Sequence, residues 1–317
     1  MGRFILRRVT QSLVVLLVMS FVIYNLIGLM PGDPIDLMIA SNPGATPEVV
    51  AHLRAIYGLD QPLILRYWHW LAAALTGDLG FSRVHSQPVL EVLLPALWQT
   101  CKLLLTSFVL SVVVSTVLGV VAALRPNGVI DNLIGLLAFA GISVPVFWLA
   151  LMMILVFAVQ LHWFPASGIA DVGNGSVWDQ IRHLVMPVTV LALANTGGFT
   201  RYVRASMLET MRMDHVRTAR AKGAGFGRVV MVHAFRNALI PVVTVWALNF
   251  GTLFGGALVT ETMFAQPGMG KMIYDSIMGN DFNLALSGLL FATVVTLLSN
   301  LGADLAYGWL DPRISFR

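Results

Sequence analysis

A basic, glycine-rich segment is the part of this chain whose residue types come closest to a chemical site. Residues 217–237 read RTARAKGAGFGRVVMVHAFRN, in which five Arg or Lys surround three glycines. Such a composition can hold phosphate, but a nucleotide-binding loop needs the pattern G-x-x-x-x-G-K-[ST] between a strand and a helix. The segment lacks that pattern, and no strand of a βαβ unit precedes it. We therefore expect no ATP binding or hydrolysis by this segment.

Other patterns that support catalysis or metal binding are also missing from the sequence. The stretch AQPGMGKM at 265–272 resembles a phosphate loop but has Ala265 for the first glycine and Met272 for the hydroxyl residue. None of the seven His lies in an H-E-x-x-H pattern. Cys101 is the single cysteine, which excludes an intramolecular disulfide and a cysteine metal cluster. We expect no catalytic residues, no metal site and no cofactor, which argues against a membrane hydrolase.

The composition of the chain is that of a membrane protein. Of its 317 residues, 57% are hydrophobic and 11% are charged, whereas soluble domains average about 25% charged residues. A bilayer core of about 30 Å takes ~20 helical residues to cross. Six uncharged apolar runs approach or exceed that length: Val9–Met30, Leu103–Leu124, Leu133–Leu161, Leu184–Thr200, Ala238–Val259 and Leu284–Ala303. We predict an all-α polytopic protein with six transmembrane helices.

The distribution of Lys and Arg predicts the orientation of these helices. Cytoplasmic loops near the ends of spans carry an excess of both residues. Fourteen of the 20 Lys and Arg fall on the N-terminal side of the membrane, and six fall on the opposite side. Both termini are therefore predicted to be cytoplasmic. The calculated pI near 9.5 is interpreted as a topology signal, and we expect no nucleic-acid partner.

The chain is predicted to be one transmembrane domain, 1–317, with a helical region on the outer surface at 31–100. Thr46, Pro47 and Glu48 are typical of a helix start, followed by one apolar face over 49–57. An amphipathic stretch at 62–76 carries Tyr and Trp side chains. These aromatic rings suit the headgroup zone of the membrane, and they suit packing against the helices equally well.

Two of the spans contain residues that interrupt helices. Pro145 lies in the third span, and Pro187, Gly197 and Gly198 lie in or beside the fourth. We expect these residues to kink or unwind the helices. Such breaks are tolerated beside neighbouring helices or a water-lined cavity, so a translocation path and simple bending both remain open.

The one sizeable cytoplasmic loop, 201–236, contains the basic segment. Phe226, Val229, Val230 and His233 follow helical spacing, which predicts a short amphipathic helix after a tight turn at Gly223. A helix before that turn is also predicted. This arrangement could bind anionic lipid through its basic residues or dock a cytoplasmic protein partner.

A few polar residues in or beside the spans are candidates for a path. Asp304 is a carboxylate at the cytoplasmic end of the sixth predicted span, where it could serve function or pair with the basic loop. Asn195, Asn249 and Asn300 could line a passage or hydrogen-bond between helices. Glu261, just beyond the fifth span, could meet an external protein or remain a solvated loop charge.

The basic loop resembles the cytoplasmic loop of bacterial ABC importer membrane subunits. That loop has the pattern E-A-A, three residues, glycine, nine residues and a hydrophobic-x-L-P-like ending. Here Arg217, Thr218 and Ala219 take the E-A-A place, Gly223 is the glycine, and residues 233–237 form the ending. The departures, which include Arg236 for Pro, are similar to the dipeptide and oligopeptide permease subfamily. Further segments agree in order, among them PGDP, YGLDQPL, GDLGFS, ETMFAQPGMGKMIYDSI and LDPR.

The resemblance implies a type I importer fold in the bacterial inner membrane, without an ATPase motif of its own. It implies a second, homologous permease subunit in a heterodimer, two cytoplasmic ATPase subunits, a periplasmic substrate-binding protein and membrane lipid as partners. The residues it implies for ATPase coupling are Arg217, Thr218, Ala219, Gly223, Gly225, Phe226, His233 and Asn237. The substrate would be a short peptide, with nickel chelates and glutathione as alternatives. A proton-coupled secondary transporter is a further alternative.

Overall fold

The computed structural model describes residues 2–29, 48 and 61–310, which form an all-α membrane protein with one short hairpin. The predicted helix after Thr46 and the PGDP segment lie outside the described residues, apart from Glu48. In chain order the helices are α1 (Gly2–Gly28), α2 (Leu63–Leu75), α3 (Val89–Leu124), α4 (Val129–Ser143), α5 (Val146–Met153), α6 (Val177–Thr210), α7 (Asp214–Ala221), α8 (Phe226–Arg228), α9 (Arg236–Met263), α10 (Met269–Met278) and α11 (Phe282–Leu310).

Short non-α segments complete the described architecture. The π-helical segment π1 (Ile154–Gln160) continues α5, and the π-helical segment π2 (Val229–Phe235) joins α8 to α9. Strands β1 (Phe81–Ser82) and β2 (Gln87–Pro88) pair antiparallel, just before α3 begins.

Most of the predicted spans correspond to long apolar helices. Among the described residues, four helical stretches are long and apolar enough to cross a membrane, and the bent pair formed by α4 and α5–π1 makes a fifth if it is one span. The predicted span 184–200 lies inside α6, which has 34 residues but does not reach the apolar character of the other spans. The polytopic architecture is therefore confirmed, and the number six stays a prediction.

The amphipathic stretch after residue 61 forms α2 and packs on the first span. Tyr67 is 2% exposed, and its hydroxyl lies 2.7 Å from the Ser20 hydroxyl of α1. Its ring also packs edge-on against Phe21. Trp68, by contrast, is 52% exposed. Tyr67 thus serves packing between helices, whereas Trp68 faces outward from the bundle.

The third predicted span is broken at Pro145, as its sequence indicates. Helix α4 ends at Ser143, α5 begins at Val146, and the two axes differ by 102°. Pro145 has no N–H to donate and its ring clashes with the preceding turn, while its backbone is extended, with φ −61° and ψ 137°. The predicted interruption is therefore confirmed here.

The fourth span does not unwind at the predicted residues, and the alternative, a kink, stays a prediction. Helix α6 continues from Val177 to Thr210 through Pro187, Gly197 and Gly198. Gly197 is required for a different reason, since a Cβ at this position would overlap the carbonyl oxygen of Ala138 in α4. The glycine lets two helices approach closely, and the packed neighbours hold α6 continuous.

Glu261, near the end of α9, is not in the solvent-exposed setting that the sequence suggests. Glu261 is 0% exposed, and its carboxylate accepts a hydrogen bond from the Thr100 hydroxyl of α3 at 2.5 Å. It is therefore neither a solvated loop charge nor a group available to an external protein. The hydrogen bonds that it accepts compensate its burial, and the Thr100 donor lies 161 positions earlier in the chain.

Candidate functional site

The basic segment folds as helix, turn and helix. Helix α7 begins at Asp214 and ends at Ala221, and Gly223 follows with φ +80°. The Gly223 N–H donates to the Arg220 carbonyl at 2.9 Å, and the Ala224 N–H donates to the Ala219 carbonyl at 3.1 Å. This left-handed helix end suits glycine, because a side chain resists positive φ. The predicted tight turn is present in the structure.

The helix after the turn is not the separate short helix that the spacing predicts. Segments α8, π2 and α9 follow one another without a break from Phe226 to Met263. Val229 and Val230 are buried as predicted, whereas Phe226 is 64% exposed. The basic segment is thus directly continuous with the fifth span.

Helix α7 is packed into the main core of the bundle. Val216 is 0% exposed and lies in one hydrophobic cluster with residues from three other helices and π2. The buried members of that cluster are Ala123, Phe199, Val203, Met207, Val216, Val229, Val230, Ala234, Ala238, Val242 and Trp246. Burying one Val side chain stabilises the folded chain by about 1.5–3 kcal/mol. A displacement of α7 away from α6 and α9 would expose Val216 and lose this stabilisation.

A small polar network joins α7 to the start of α9. His215 Nε2 lies 3.1 Å from the His233 carbonyl oxygen and 3.2 Å from Asn237 Nδ2. Asn237 Nδ2 also donates to the His233 carbonyl at 2.9 Å. The imidazole can satisfy either contact, according to its tautomer. Asn237, singled out as the end of the motif, thus contacts His215 of α7 across the turn.

The opposite side of the segment is exposed and positively charged. Its exposed residues include Arg217, Thr218, Arg220, Lys222, Gly223, Gly225, Phe226 and Arg228. The Thr218 hydroxyl donates to the Asp214 carbonyl of its own helix. The segment thus presents basic groups and an aromatic ring on a rigid support, which is the form of a docking surface for an acidic partner.

The four residues suggested for a translocation path lie in different settings. Asn195 and Asn249 each donate to the carbonyl one turn earlier in their own helix, at 2.8 Å, and Asn300 is exposed. Asp304 lies 3.1 Å from the Arg8 guanidinium of α1, so its ion pair is with the first helix and not with the basic loop. Their role in a path stays a prediction.

An ion pair that sequence reasoning missed links α4 to α6. Arg204 Nε and Nη2 donate to the two carboxylate oxygens of Asp131 at 2.6 and 2.7 Å. The Asn127 N–H donates to the same carboxylate at 2.8 Å. Neither Asp131 nor Arg204 was singled out from the sequence, since nothing in the local sequence indicates a pair 73 residues apart.

One cluster has the residue types of a metal site. Atoms of Asp171, Asp179 and His183 lie within 4.8 Å of one another. The Asp171 N–H donates to Asp179 Oδ2 at 2.7 Å, and His183 Nδ1 contacts the Asp179 carbonyl at 2.9 Å. These bonds fasten the preceding loop to the start of α6, so the positions of the three residues are explained without an ion.

Comparison with known families identifies the chain. Residues 115–316 match the family described as binding-protein-dependent transport system inner membrane component. Residues 1–104 match the N-terminal region described for the same membrane components. The chain belongs to this family. As a family member it is a permease component of a transport system and a multi-pass membrane protein.

Individual relatives of this family member cover its whole length. The oligopeptide transport system permease protein AppB of Bacillus subtilis is 36% identical over 318 residues, covering 100% of both chains. The dipeptide transport system permease protein DppB of Alkalihalophilus pseudofirmus is 36% identical over 330 residues, covering 98% of each.

A solved structure shares the fold of this family member. The crystal structure of an amino acid ABC transporter with histidines matches with a TM-score of 0.52 at 12% identity, over 71% of this chain and 94% of the other. At that identity the likeness concerns the fold, and it confirms the expected all-α permease fold of the type I importers.

Proposed function

We propose that this chain is one of two membrane subunits of an ATP-driven importer and forms part of the path for short peptides. The observation that carries the proposal is the packing of α7, whose buried face belongs to the bundle core while its other face is exposed and basic. Full-length relatives with peptide permease names support the choice of substrate.

In the proposed mechanism, the exposed face of the segment docks on a cytoplasmic ATPase subunit. The partner surface must be acidic to suit Arg217, Arg220 and Lys222, with an apolar recess for the exposed ring of Phe226. Anionic lipid headgroups are the alternative ligand of the same basic face. Two ATPase subunits serve the pair of membrane subunits and supply the hydrolysis that this chain does not perform.

Movement of the ATPase subunits then becomes movement of helices. Because Val216 packs with α3, α6 and α9 in one cluster, a shift of α7 displaces these helices together. The network of His215 and Asn237 keeps α7 from rotating independently of α9. The two-state change required for transport is then a swing of packed helices between inward-facing and outward-facing arrangements.

The remaining partners follow from the same mechanism. A second, homologous permease subunit in a heterodimer completes the path, and a periplasmic binding protein delivers the substrate to its outer mouth. The assembly lies in the bacterial inner membrane with lipid around the exposed apolar side chains of the spans. Nickel chelates or glutathione are alternative substrates, and no nucleic acid is involved.

A proton-coupled secondary transporter is the competing function. It would need a carboxylate in the membrane that exchanges protons during transport. Asp304 is the candidate from the sequence, and its carboxylate lies 3.1 Å from the Arg8 guanidinium. The full-length relatives named as peptide transport permeases favour the ATP-driven function over this alternative.

Co-purification tests the proposal. The tagged chain is extracted gently from its native membrane, and retained proteins are assayed for ATP hydrolysis. We expect the wild type to retain an ATPase and Gly223→Pro to lose it, because proline cannot adopt φ +80°. Gly198→Ala is the control, since this glycine lies in α6 outside the basic segment and a Cβ there meets no atom within 4 Å. A wild type that retains no ATPase after cross-linking would refute the proposal.

A further inference from the structure

The far end of the bundle contains a second buried polar network, formed by Glu261, Thr100 and the start of α10. Thr100 and Glu261 are 1% and 0% exposed. The Thr100 hydroxyl donates to Glu261 Oε1 at 2.5 Å and accepts from the Met269 N–H at 2.7 Å. The Lys271 N–H donates to Glu261 Oε2 at 3.0 Å. One carboxylate and one hydroxyl thus fasten α3, α9 and α10 to each other.

Glycines fit this network closely. A Cβ at Gly268 would overlap the Glu261 carboxylate, and a Cβ at Gly270 would lie 3.0 Å from Glu261 Oε2. The approach of the loop to the carboxylate therefore requires glycine at these two positions. The sequence thus provides both the carboxylate and the glycines that leave room for it, which distinguishes this network from a chance contact.

Helix α10 is held at its other end by a second buried carboxylate. Asp281, 1% exposed, accepts from the Ser82 hydroxyl at 2.5 Å and from the Val84 N–H at 3.0 Å. These donors belong to the hairpin that begins with β1. Between the two ends, Met269 and Met272 pack in a cluster with Leu93 of α3. Helix α10 is thus attached to α9 at its start and to the hairpin at its end.

The same two long helices also reach the basic segment. Helix α9 has 28 residues, which at 1.5 Å per residue span roughly 40 Å. Near its start Ala238 and Val242 share the core cluster with Val216 of α7, and toward its end Ala257 packs with Leu103 of α3. Glu261 follows one turn after Ala257. Helices α3 and α9 therefore share one cluster at the level of α7 and another beside Glu261.

From this continuity we propose that Glu261 and Thr100 are positioning residues that pass the movement of the basic segment to α10 and the outer hairpin. The proposal rests on the proposed function, because it assumes that an ATPase drives α7. Allosteric coupling requires an element that both ends of the molecule bias. The Glu261–Thr100 network makes α10 the outer end of that element, so closing of the ATPase pair and opening at the outer face occur together.

Substitutions at the network separate positioning from folding. In the complete complex, reconstituted in lipid with its ATPase and binding protein, Thr100→Val removes the hydroxyl at nearly constant volume, and Glu261→Gln removes the charge. We expect both variants to assemble and to keep basal ATP hydrolysis, while the increase in hydrolysis caused by substrate-loaded binding protein falls about tenfold, within the usual range of allosteric coupling. Transport should fall equally.

Two control variants define the comparison. Thr100→Ser keeps a hydroxyl and should restore the stimulated hydrolysis. Asp275→Asn removes a carboxylate on the exposed face of the same helix α10, where the group pairs with Lys271 on the surface, and should behave as wild type. If Thr100→Val and Glu261→Gln are stimulated as wild type, the proposal is overturned.

A uniform loss would also overturn the proposal. If basal hydrolysis, stimulated hydrolysis and transport all fall in proportion to the amount of assembled complex, the network serves folding and not coupling. Failure of the proposed function is distinguishable, because it appears in the wild type as the absence of a retained ATPase, before either variant is compared.

Discussion

Arg204 and Asp131 form a bidentate ion pair that connects α6, the helix leading into α7, with α4, the first half of the bent span. The Asp131 side chain is 5% exposed and the Arg204 side chain is 33% exposed. In the proposed mechanism the pair would add a fourth helix, α4, to the helices that a shift of α7 displaces. It also leaves each charge dependent on the other, since a buried carboxylate is costly without its partner.

Removing only one partner of this pair should destabilise the protein more than removing both. We expect Arg204→Gln to lower the free energy of unfolding by about 2 kcal/mol, less than for a fully buried pair because the guanidinium is partly exposed. The double variant Asp131→Asn with Arg204→Gln should recover about half of that loss. Thermal unfolding of the purified protein in detergent measures both effects.

Arg201→Gln provides the control for the ion pair, because Arg201 is an exposed cation of the same helix. Its effect should lie within about 0.5 kcal/mol of wild type. If the double variant loses as much free energy of unfolding as Arg204→Gln and Asp131→Asn lose in sum, the pair does not act as one unit.

The polar link between α7 and α9 should affect coupling more than docking. Truncating His215 or Asn237 to Ala removes a hydrogen bond worth about 1 kcal/mol net and leaves the exposed basic face unchanged. We expect each variant to retain its ATPase while the substrate transported per ATP hydrolysed falls severalfold. The double variant should be no worse than either single one.

Thr244→Ala is the matched comparison for that link. Thr244 lies on α9, outside the basic segment, and its hydroxyl donates to the Ile240 carbonyl of its own helix, so its variant should keep the wild-type transport ratio. If His215→Ala and Thr244→Ala reduce the ratio equally, the link between the helices has no special role.

Two adjacent glycines of α6 should respond oppositely to alanine. The Cβ of Gly197→Ala overlaps the Ala138 carbonyl and approaches Ile142 to 3.0 Å, which forces α4 and α6 apart. We expect a loss of about 1–3 kcal/mol, the usual cost of overpacking, visible as a lower midpoint of thermal unfolding. Gly198→Ala meets no atom within 4 Å and should leave the midpoint unchanged or raise it. Equal midpoints for the two variants would contradict the close packing of these helices.

The apolar runs and the glycine at position 223 are local features, and the sequence alone predicts what they form. A run of about twenty apolar residues must satisfy its backbone within a helix when water is excluded, so the first, second, fifth and sixth spans follow from composition. The positive φ at residue 223 could be predicted because glycine adopts this conformation without the steric cost that a side chain brings. Pro145 likewise breaks the third span through its own ring and missing N–H.

Tertiary packing decided the features that depend on distant residues. Helix α6 passes Pro187 unbroken because α3 and α4 pack along it, and Phe226 is exposed because α8 runs straight into α9. Glu261 is buried because Thr100, 161 positions earlier, supplies a hydrogen bond that no local pattern reveals. The sequence by itself determined which segments become helices, since backbone satisfaction in lipid is local, and the tertiary structure decided which charges are buried, since each needs a partner from another helix.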